Sequence, residues 1–266
     1  MSLTYIFVFP FHPIDEKIAN LLQAKAKKIK KICFLMKNHI FIISSRITKT
    51  TRLSDMKTIN VPKITPSEDL EKIFDTLPEH AIDSCNWPKE FPYSPKATFR
   101  IFHDGTKIYI KFAVTENDIK AAVAEDQGRT WTDPCVEFFV SPQCNLDYYN
   151  FECTCTGKLL LAWHPADAPK EAAGKEVLDS VERIPSLGTG TFPLREGEHT
   201  WSVIEIIPVS ALFRSGVESL DGKEMGANFY KCGDELPTPH FLSWNPIEWP
   251  EPSFHRPEQF GKLIFE

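Results

Sequence analysis

Short runs in which every second residue is hydrophobic recur through most of this 266-residue sequence, and they constrain its fold more than any other feature. In Lys107–Val114, for example, Ile108, Ile110, Phe112 and Val114 alternate with polar residues, as in a strand with one buried face. Proline (21) outnumbers glycine (12), which is typical of strands joined by proline-punctuated loops. The sequence therefore predicts a mainly β fold, an antiparallel β-sandwich.

The same pattern locates the individual elements. We predict strands at Ala97–Phe102, Lys107–Val114, Cys135–Val140, Tyr148–Cys155, Lys158–Trp163, Thr200–Ile207, Met225–Cys232, Phe241–Trp244 and Lys262–Phe265. A capping box at residues 65–68, with Pro66 at the first helical position, predicts one short N-terminal helix that ends near Leu77. Residues 165–197 are predicted to form a long loop with at most one extra strand, and residues 208–213 one helical turn. His103-Asp104-Gly105 is predicted to be a hairpin turn.

The charge distribution divides the chain near residue 55. Residues 1–55 carry ten Lys/Arg and three Asp/Glu, a net charge of +7, so the remainder carries −6 − 7 = −13. We interpret residues 1–55 as a basic extension, poorly ordered or a misassigned start before Met56, with a membrane-surface or targeting role as the alternative. Residues 56–266 are the predicted domain. Its acidity argues against nucleic acid as a partner, and no apolar run is long enough to span a membrane.

The seven cysteines show no C-x-x-C motif and no Cys/His spacing typical of zinc sites. Cys153 and Cys155 lie two residues apart in a predicted strand, so they are badly placed to bridge each other. Buried free thiols are therefore expected. Together with the lack of a convincing signal peptide, they favour a reducing, cytoplasmic location.

Residues 126–142 are the most informative for function. Trp131 lies in a polar loop, and Glu137 follows in a strand, where it points to the same side as Cys135 and Phe139. An indole ring can stack on the flat face of a pyranose, while a carboxylate accepts hydrogen bonds from hydroxyl groups. This pattern indicates a carbohydrate partner. The alternative is a core tryptophan beside a solvated glutamate.

Two further patterns bear on the site. Trp249 and Phe254 lie in a proline-rich C-terminal loop that forms a lid over the sandwich end, a ligand platform or a protein-interaction surface. Glu137 and Glu152 both lie on polar strand faces, and if they approach each other they could act as the paired carboxylates of a glycan-active hydrolase. Binding without catalysis, hydrolysis and protein interaction therefore stay open as functions.

Asp126 and Asp133 flank Trp131 and could bind calcium together with backbone carbonyls, but the loop lacks EF-hand spacing. No motif requires a cofactor, and the sequence identifies no definite metal ligands. It also contains no nucleophile motif and no phosphate-binding glycine loop, which favours a binding protein over an enzyme. The oligomeric state does not follow from the sequence.

Several segments resemble family-9 carbohydrate-binding modules, in the same order along the chain. They are the hairpin around His103-Asp104-Gly105 and Tyr109, Trp131-Thr-Asp-Pro-Cys-Val-Glu-Phe-Phe-Val140, and Leu242-Ser-Trp244 followed by Phe254-His-Arg-Pro-Glu-Gln-Phe-Gly-Lys-Leu263. Three others, Asn86-Trp87-Pro88, Tyr148–Glu152 and Asn228–Cys232, are similar to family-9-like proteins of gut Bacteroidetes. Together they place residues 57–266 in the resemblance.

The resemblance implies a β-sandwich that clamps a terminal sugar between two aromatic rings, without catalysis, in polysaccharide utilisation. Some members carry structural calcium. Trp131 would be one ring, and Glu137 a carboxylate that contacts the ligand. Phe254 stands where the family has its second tryptophan, and Trp249 could substitute for it. Glu152 stands where the family has an arginine, which would change the polar contacts.

Overall fold

A computed structural model describes residues 56–266, and the interpretation of residues 1–55 falls outside that range. The strands are β1 (Thr58–Val61), β2 (His80–Ala81), β3 (Ser84–Cys85), β4 (Lys96–His103), β5 (Lys107–Ala121), β6 (Cys135–Ser141), β7 (Tyr148–Thr154), β8 (Leu159–His164), β9 (Glu171–Ala172), β10 (Glu182–Pro185), β11 (Phe192–Pro208), β12 (Glu224–Cys232), β13 (Phe241–Ser243) and β14 (Gly261–Phe265). Helices are α1 (Leu70–Thr76) and α2 (Lys175–Ser180), with 3-10 turns at Thr130–Thr132, Val209–Ala211 and Pro257–Gln259. In this range no helix has the length and apolar character needed to cross a membrane.

The strands form two sheets. The large sheet has the order β1-β14-β12-β6-β7-β8-β9, with β13 paired to β12 and β3 paired to β13. The small sheet has the order β10-β11-β5-β4-β2. Its pairs are antiparallel, as are those of the large sheet apart from β1 with β14, which is parallel. The predicted mainly β, antiparallel class is confirmed.

The main core lies between the two sheets. Alternation directs Val136, Phe138 and Val140 of β6 into it. Phe229 of β12 stacks on Phe99 of β4 with 3.7 Å between ring centroids, so this pair joins the sheets. Burying one such side chain contributes about 2–3 kcal/mol. Because the largest cluster of buried hydrophobic residues lies between the sheets, this interface contributes most of the hydrophobic stabilisation.

The outer faces of the two sheets are covered separately. On the small sheet, α1 places Phe74 against Phe102, with ring centroids 5.4 Å apart, and both side chains are buried with Tyr109. On the large sheet, the outer face carries a second aromatic cluster instead of a helix. Rings from the segments around Trp87 and Phe254 pack onto this face, so aromatic side chains cover it where a helix covers the small sheet.

The predicted end of helix α1, near Leu77, is confirmed, but its predicted start at the capping box is wrong. The structure begins α1 at Leu70, where Asp69 is the N-cap and its carboxylate accepts a 3.2 Å hydrogen bond from the Lys72 N–H. A carboxylate at the N-cap satisfies free N–H groups and suits the positive helix end. The predicted capping box at residues 65–68 therefore lies outside the helix.

The predicted long loop at residues 165–197 is also wrong. It contains β9, α2, β10 and the first residues of β11. Both β9 and β10 are edge strands whose side chains are partly or fully exposed. Edge strands need no buried face, so they lack the apolar alternation on which the prediction rested.

The predictions of local turns are confirmed. Asp104 Oδ1 accepts the N–H groups of Thr106 and Lys107 at 2.8 Å, and Gly105 has a φ of 100°, a conformation that favours glycine. The helical turn expected at residues 208–213 is the 3-10 turn Val209–Ala211.

Gly261 at the start of β14 allows a close approach that no other residue permits. A Cβ atom there would lie 2.7 Å from the Lys57 carbonyl oxygen and would also overlap the buried ring of Trp244. We expect Gly261→Ala to lower the free energy of unfolding by about 2–3 kcal/mol because of overpacking. Urea denaturation measures this, and Gly190→Ala, which has open space around its Cβ position, is the control. Equal midpoints for the two variants would contradict the argument.

Candidate functional site

The outer face of the large sheet brings two acidic side chains side by side. Because residues alternate along β6, Glu137 points away from the core together with Cys135 and Phe139, as predicted. Pairing of β6 with β7 places Glu152 directly opposite Glu137, and pairing with β12 places Tyr230 on its other side. Glu137 and Glu152, whose approach the sequence left open, are thus cross-strand neighbours.

Each carboxylate has its own hydrogen-bond partners. Glu137 Oε1 accepts a 3.1 Å hydrogen bond from the Cys232 thiol. Glu152 accepts from the Thr130 hydroxyl at 2.9 Å and from the Asn150 amide at 2.7 Å. Glu137 is 3% exposed and Glu152 5% exposed, so a ligand could touch the two residues only over these small exposed fractions.

Burial is the main reason why both glutamates hold protons more firmly than usual. It raises the pKa of Glu137 well above the ordinary value, and the nearby Cys232 and Glu152 raise this pKa further. Burial also raises the pKa of Glu152, while the hydrogen bonds from Thr130 and Asn150 oppose the shift. Both shifts favour the protonated carboxyl group, which can donate as well as accept a hydrogen bond.

Trp131 lies at the edge of this face, in the 3-10 turn that leads into β6. Its carbonyl accepts a 2.9 Å hydrogen bond from the Asp234 N–H, and its partly buried ring packs against the outer aromatic cluster. Next to it, Asp133 Oδ2 accepts the N–H groups of Ala122 and Val123 at 2.7 and 2.8 Å, which fixes the loop. Trp131 is therefore held in place while part of its ring stays accessible.

The two predicted aromatic residues of the C-terminal loop have different surroundings. Phe254 is 8% exposed, belongs to the same cluster as Trp131 and stacks on Tyr230 with 4.2 Å between ring centroids. Trp249 is 44% exposed, and the Arg256 guanidinium lies 3.3 Å from its ring centroid. Four of the five predicted ligand-binding residues, Trp131, Glu137, Glu152 and Phe254, thus lie on the outer face of the large sheet. Trp249 has the most accessible of the three predicted aromatic rings. Their roles stay predictions.

The sequence analysis missed a polar group at the β7–β8 side of this face. The Tyr148 ring stacks on His164 with 4.7 Å between centroids, and its hydroxyl lies 2.7 Å from His255 Nδ1. His164 Nε2 lies 3.2 Å from Asn150 Oδ1. Since Tyr148, Asn150 and Glu152 alternate on β7, the period of two could have identified the first two residues. No local pattern marks His255.

Both histidines of this group are neutral at pH 7. Burial lowers the pKa of His164 to about 4, helped by the nearby His255. Desolvation around its ring also lowers the pKa of His255 to about 4, helped by Lys170 and Arg256, although the residue as a whole is exposed. A neutral imidazole carries one donor and one acceptor, so each ring can bind a hydroxyl group in either sense.

The two aspartates considered for calcium already have partners in the chain. Asp126 accepts from the Leu159 N–H at 2.9 Å and from Arg183 Nη1 at 2.8 Å. Asp133 is fully buried; its Oδ2 accepts the two N–H groups of its loop, whereas its Oδ1 has no hydrogen-bond partner within residues 56–266. Their contacts explain a structural role, and a calcium site here stays a prediction.

The fold and the polar, aromatic outer face define a class of sandwich proteins that bind ligands on a sheet face, and comparisons identify the family. The model of carbohydrate-binding family 9 matches residues 68–265. A crystal structure of a putative carbohydrate-binding protein from Bacteroides uniformis is 44% identical, with a TM-score of 0.77 over 79% of this chain and 100% of the other. The chain therefore belongs to carbohydrate-binding family 9.

More distant structures share the fold. Family 9 modules from Caldicellulosiruptor kristjanssonii, in complex with glucose and with cellotriose, are 12% identical with a TM-score of 0.51. Each alignment covers 79% of this chain, and 96% and 94% of the respective modules. A comparison with curated proteins found no match. The predicted family, its carbohydrate-binding function and the similarity to a Bacteroides protein are confirmed.

Proposed function

We propose that the outer face of the large sheet binds the end of a saccharide, with Trp131 as the stacking ring and Glu137 and Glu152 as polar contacts. The main support is the cross-strand carboxylate pair beside the turn that carries Trp131. Membership of carbohydrate-binding family 9 supports the ligand class. The glucose and cellotriose complexes of related modules indicate which ligands to test first.

The polar groups of this face suit a ligand rich in hydroxyl groups. Every sugar hydroxyl both donates and accepts, and the face offers groups of both kinds: the two carboxyls, the neutral rings of His164 and His255, and the Tyr148 hydroxyl. The rings of His164 and His255 and the Tyr148 hydroxyl are neutral at pH 7, so contact between these three groups and a neutral sugar requires no desolvation of ions.

The expected affinity is modest. Stacking one pyranose face on Trp131 removes on the order of 100 Å² of apolar surface from water, which is worth about 2.5 kcal/mol. A second ring would contribute a similar amount, and association itself opposes binding. Dissociation constants between about ten micromolar and a few millimolar follow.

The paired carboxylates support binding better than hydrolysis. Glycoside hydrolysis needs two carboxyl groups on opposite sides of the scissile bond. Glu137 and Glu152 are neighbours on one sheet face, so both lie on the same side of any ligand placed above them. Catalysis by this pair would require a different arrangement.

Calorimetric titration with glucose and cellotriose tests the proposal. We expect Trp131→Ala to weaken binding at least about tenfold, because the stacking surface is lost. Leu194→Ala is the matched control, since Leu194 is an exposed apolar residue on β11 of the other sheet. Unchanged affinity in Trp131→Ala, with circular dichroism showing a folded protein, would reject the proposed site.

A further inference from the structure

Two buried cysteines and Glu137 come together on the outer face of the large sheet. Cys135 of β6 and Cys232 of β12 are direct cross-strand partners, and Glu137 follows Cys135 on the same side of β6. The two sulfur atoms and one Glu137 oxygen all lie within 4.8 Å of one another. All three residues are buried. Such a group of potential ligands on two adjacent rigid strands is a preformed metal-binding geometry.

The ligand types select the metal. Zinc binds thiolate sulfur at about 2.3 Å and carboxylate oxygen at about 2.0–2.2 Å, with tetrahedral geometry. Ligand atoms around such an ion are about 3.3–3.8 Å apart, so the present separations need only small side-chain adjustments. Thiolates are soft ligands that disfavour calcium and magnesium, which prefer oxygen. Zinc is therefore the metal that this group fits.

Asp234 lies next to this group and is not one of its three potential ligands. Its backbone N–H donates a 2.9 Å hydrogen bond to the Trp131 carbonyl oxygen, and its carboxyl group lies beside Cys232. Unlike the other three residues, Asp234 is only half-buried. The carboxyl groups of Glu137 and Asp234 and the two thiols would repel one another when ionised, and a bound dication would remove this repulsion.

We propose that Cys135, Cys232 and Glu137 bind one Zn²⁺ ion. Binding releases the two thiol protons to solvent, since thiolates are the ligands. The ion would connect β6 and β12 in the middle of the large sheet. It would also hold the Glu137 carboxyl group in one orientation. This site does not depend on the identity of the sugar, and zinc can be measured without any saccharide.

The experiment measures zinc in the full chain purified from zinc-supplemented cells, by elemental analysis and by release to a chromogenic chelator after unfolding. We expect about one zinc per chain. Refolding with Co²⁺ should give sulfur-to-cobalt charge-transfer absorption in the near ultraviolet. Cys135→Ser and Cys232→Ser should lose both signals, and Asp234→Asn should bind zinc at least about tenfold more weakly.

Cys144→Ser is the matched control, because Cys144 is an exposed thiol outside the group, and it should keep full zinc content. The wild-type measurements and Asp234→Asn do not require the buried cysteines to be replaced, so poor folding of a serine variant leaves the test intact. Wild-type protein without zinc, equal zinc in all variants, or a Cys135–Cys232 disulfide found by mass spectrometry in metal-free native protein would each overturn the proposal.

Discussion

Replacing Lys231 by methionine is expected to lower the free energy of unfolding by about 3–5 kcal/mol, because it leaves the Glu116 carboxylate buried without its partner. Both side chains are fully buried, and Lys231 Nζ lies 2.9 Å from Glu116 Oε2. Glu116 is on β5 of the small sheet and Lys231 on β12 of the large sheet, so the ion pair joins the two sheets. Urea denaturation monitored by tryptophan fluorescence measures the loss.

The surroundings of this ion pair explain why it is stable when intact. Lys231 Nζ also lies 2.7 Å from the Cys232 carbonyl oxygen and 2.8 Å from His240 Nε2. Burial and the nearby lysine lower the pKa of His240 to about 2, so this ring is neutral. Its Nε2 can therefore accept a hydrogen bond from the Lys231 ammonium group. The Trp201 indole donates to Glu116 Oε1 at 2.7 Å. The Lys231 ammonium group thus has two hydrogen-bond acceptors, the Cys232 carbonyl oxygen and His240 Nε2, besides its ion pair with Glu116.

An exposed ion pair provides the control for this prediction. Lys175 and Asp179 lie one turn apart on α2 and are mostly solvated, so Lys175→Met should change stability by less than about 0.5 kcal/mol. Glu116→Gln combined with Lys231→Met should recover a substantial part of the loss, because the unpaired charge is gone. A Lys231→Met variant within 1 kcal/mol of wild type would show that the ion pair is replaceable.

The second large effect concerns Glu205 and pH. This residue of β11 is fully buried, and neither carboxyl oxygen has a hydrogen-bond partner within residues 56–266. Burial raises the pKa of Glu205 from 4.5 to about 8, and Arg183 on β10 only partly opposes the shift. The folded protein therefore keeps a proton that the unfolded chain loses above pH 4.5, so stability falls as the pH rises from about 5 to 8.

Glu205→Gln should remove this loss. The amide has nearly the same shape and never ionises, so the difference in unfolding free energy between variant and wild type should grow with pH. We expect it to reach about 3 kcal/mol at pH 8 relative to pH 5. Glu198→Gln, an exposed position on the same strand, is the control. Parallel pH profiles for wild type and Glu205→Gln would mean that the buried carboxyl does not titrate in this range.

The strands of the core were predictable because a strand with one buried face has a period of two in the sequence. The clearest examples are β5 and β14, in which buried and partly exposed residues alternate, whereas β6 and β7 are buried on both faces. The edge elements β9 and β10 carry no such signal, and β2 and β3, with two residues each, are too short to show one. Edge strands are defined by their neighbours more than by their own residues.

The site was predictable where a single segment carries the chemistry. Trp131 and Glu137 lie six positions apart, in one turn and one strand, and both could be identified from that segment. Cys135 and Cys232 meet only because β6 pairs with β12, a register that no local spacing encodes. His255 reaches Tyr148 from a loop more than a hundred residues away. Contacts of this kind depend on strand order and on loop conformation.

The parallel pairing of β1 with β14 has a mechanical consequence. Force applied between residue 56 and residue 266 would pull these adjacent strands in opposite directions along their length, from Thr58 at one end and Phe265 at the other. Hydrogen bonds loaded in this way lie across the pulling direction and must rupture together. A module bound to an insoluble polymer and stretched through its ends would therefore resist extension in shear, whereas an antiparallel terminal pair would open one bond at a time.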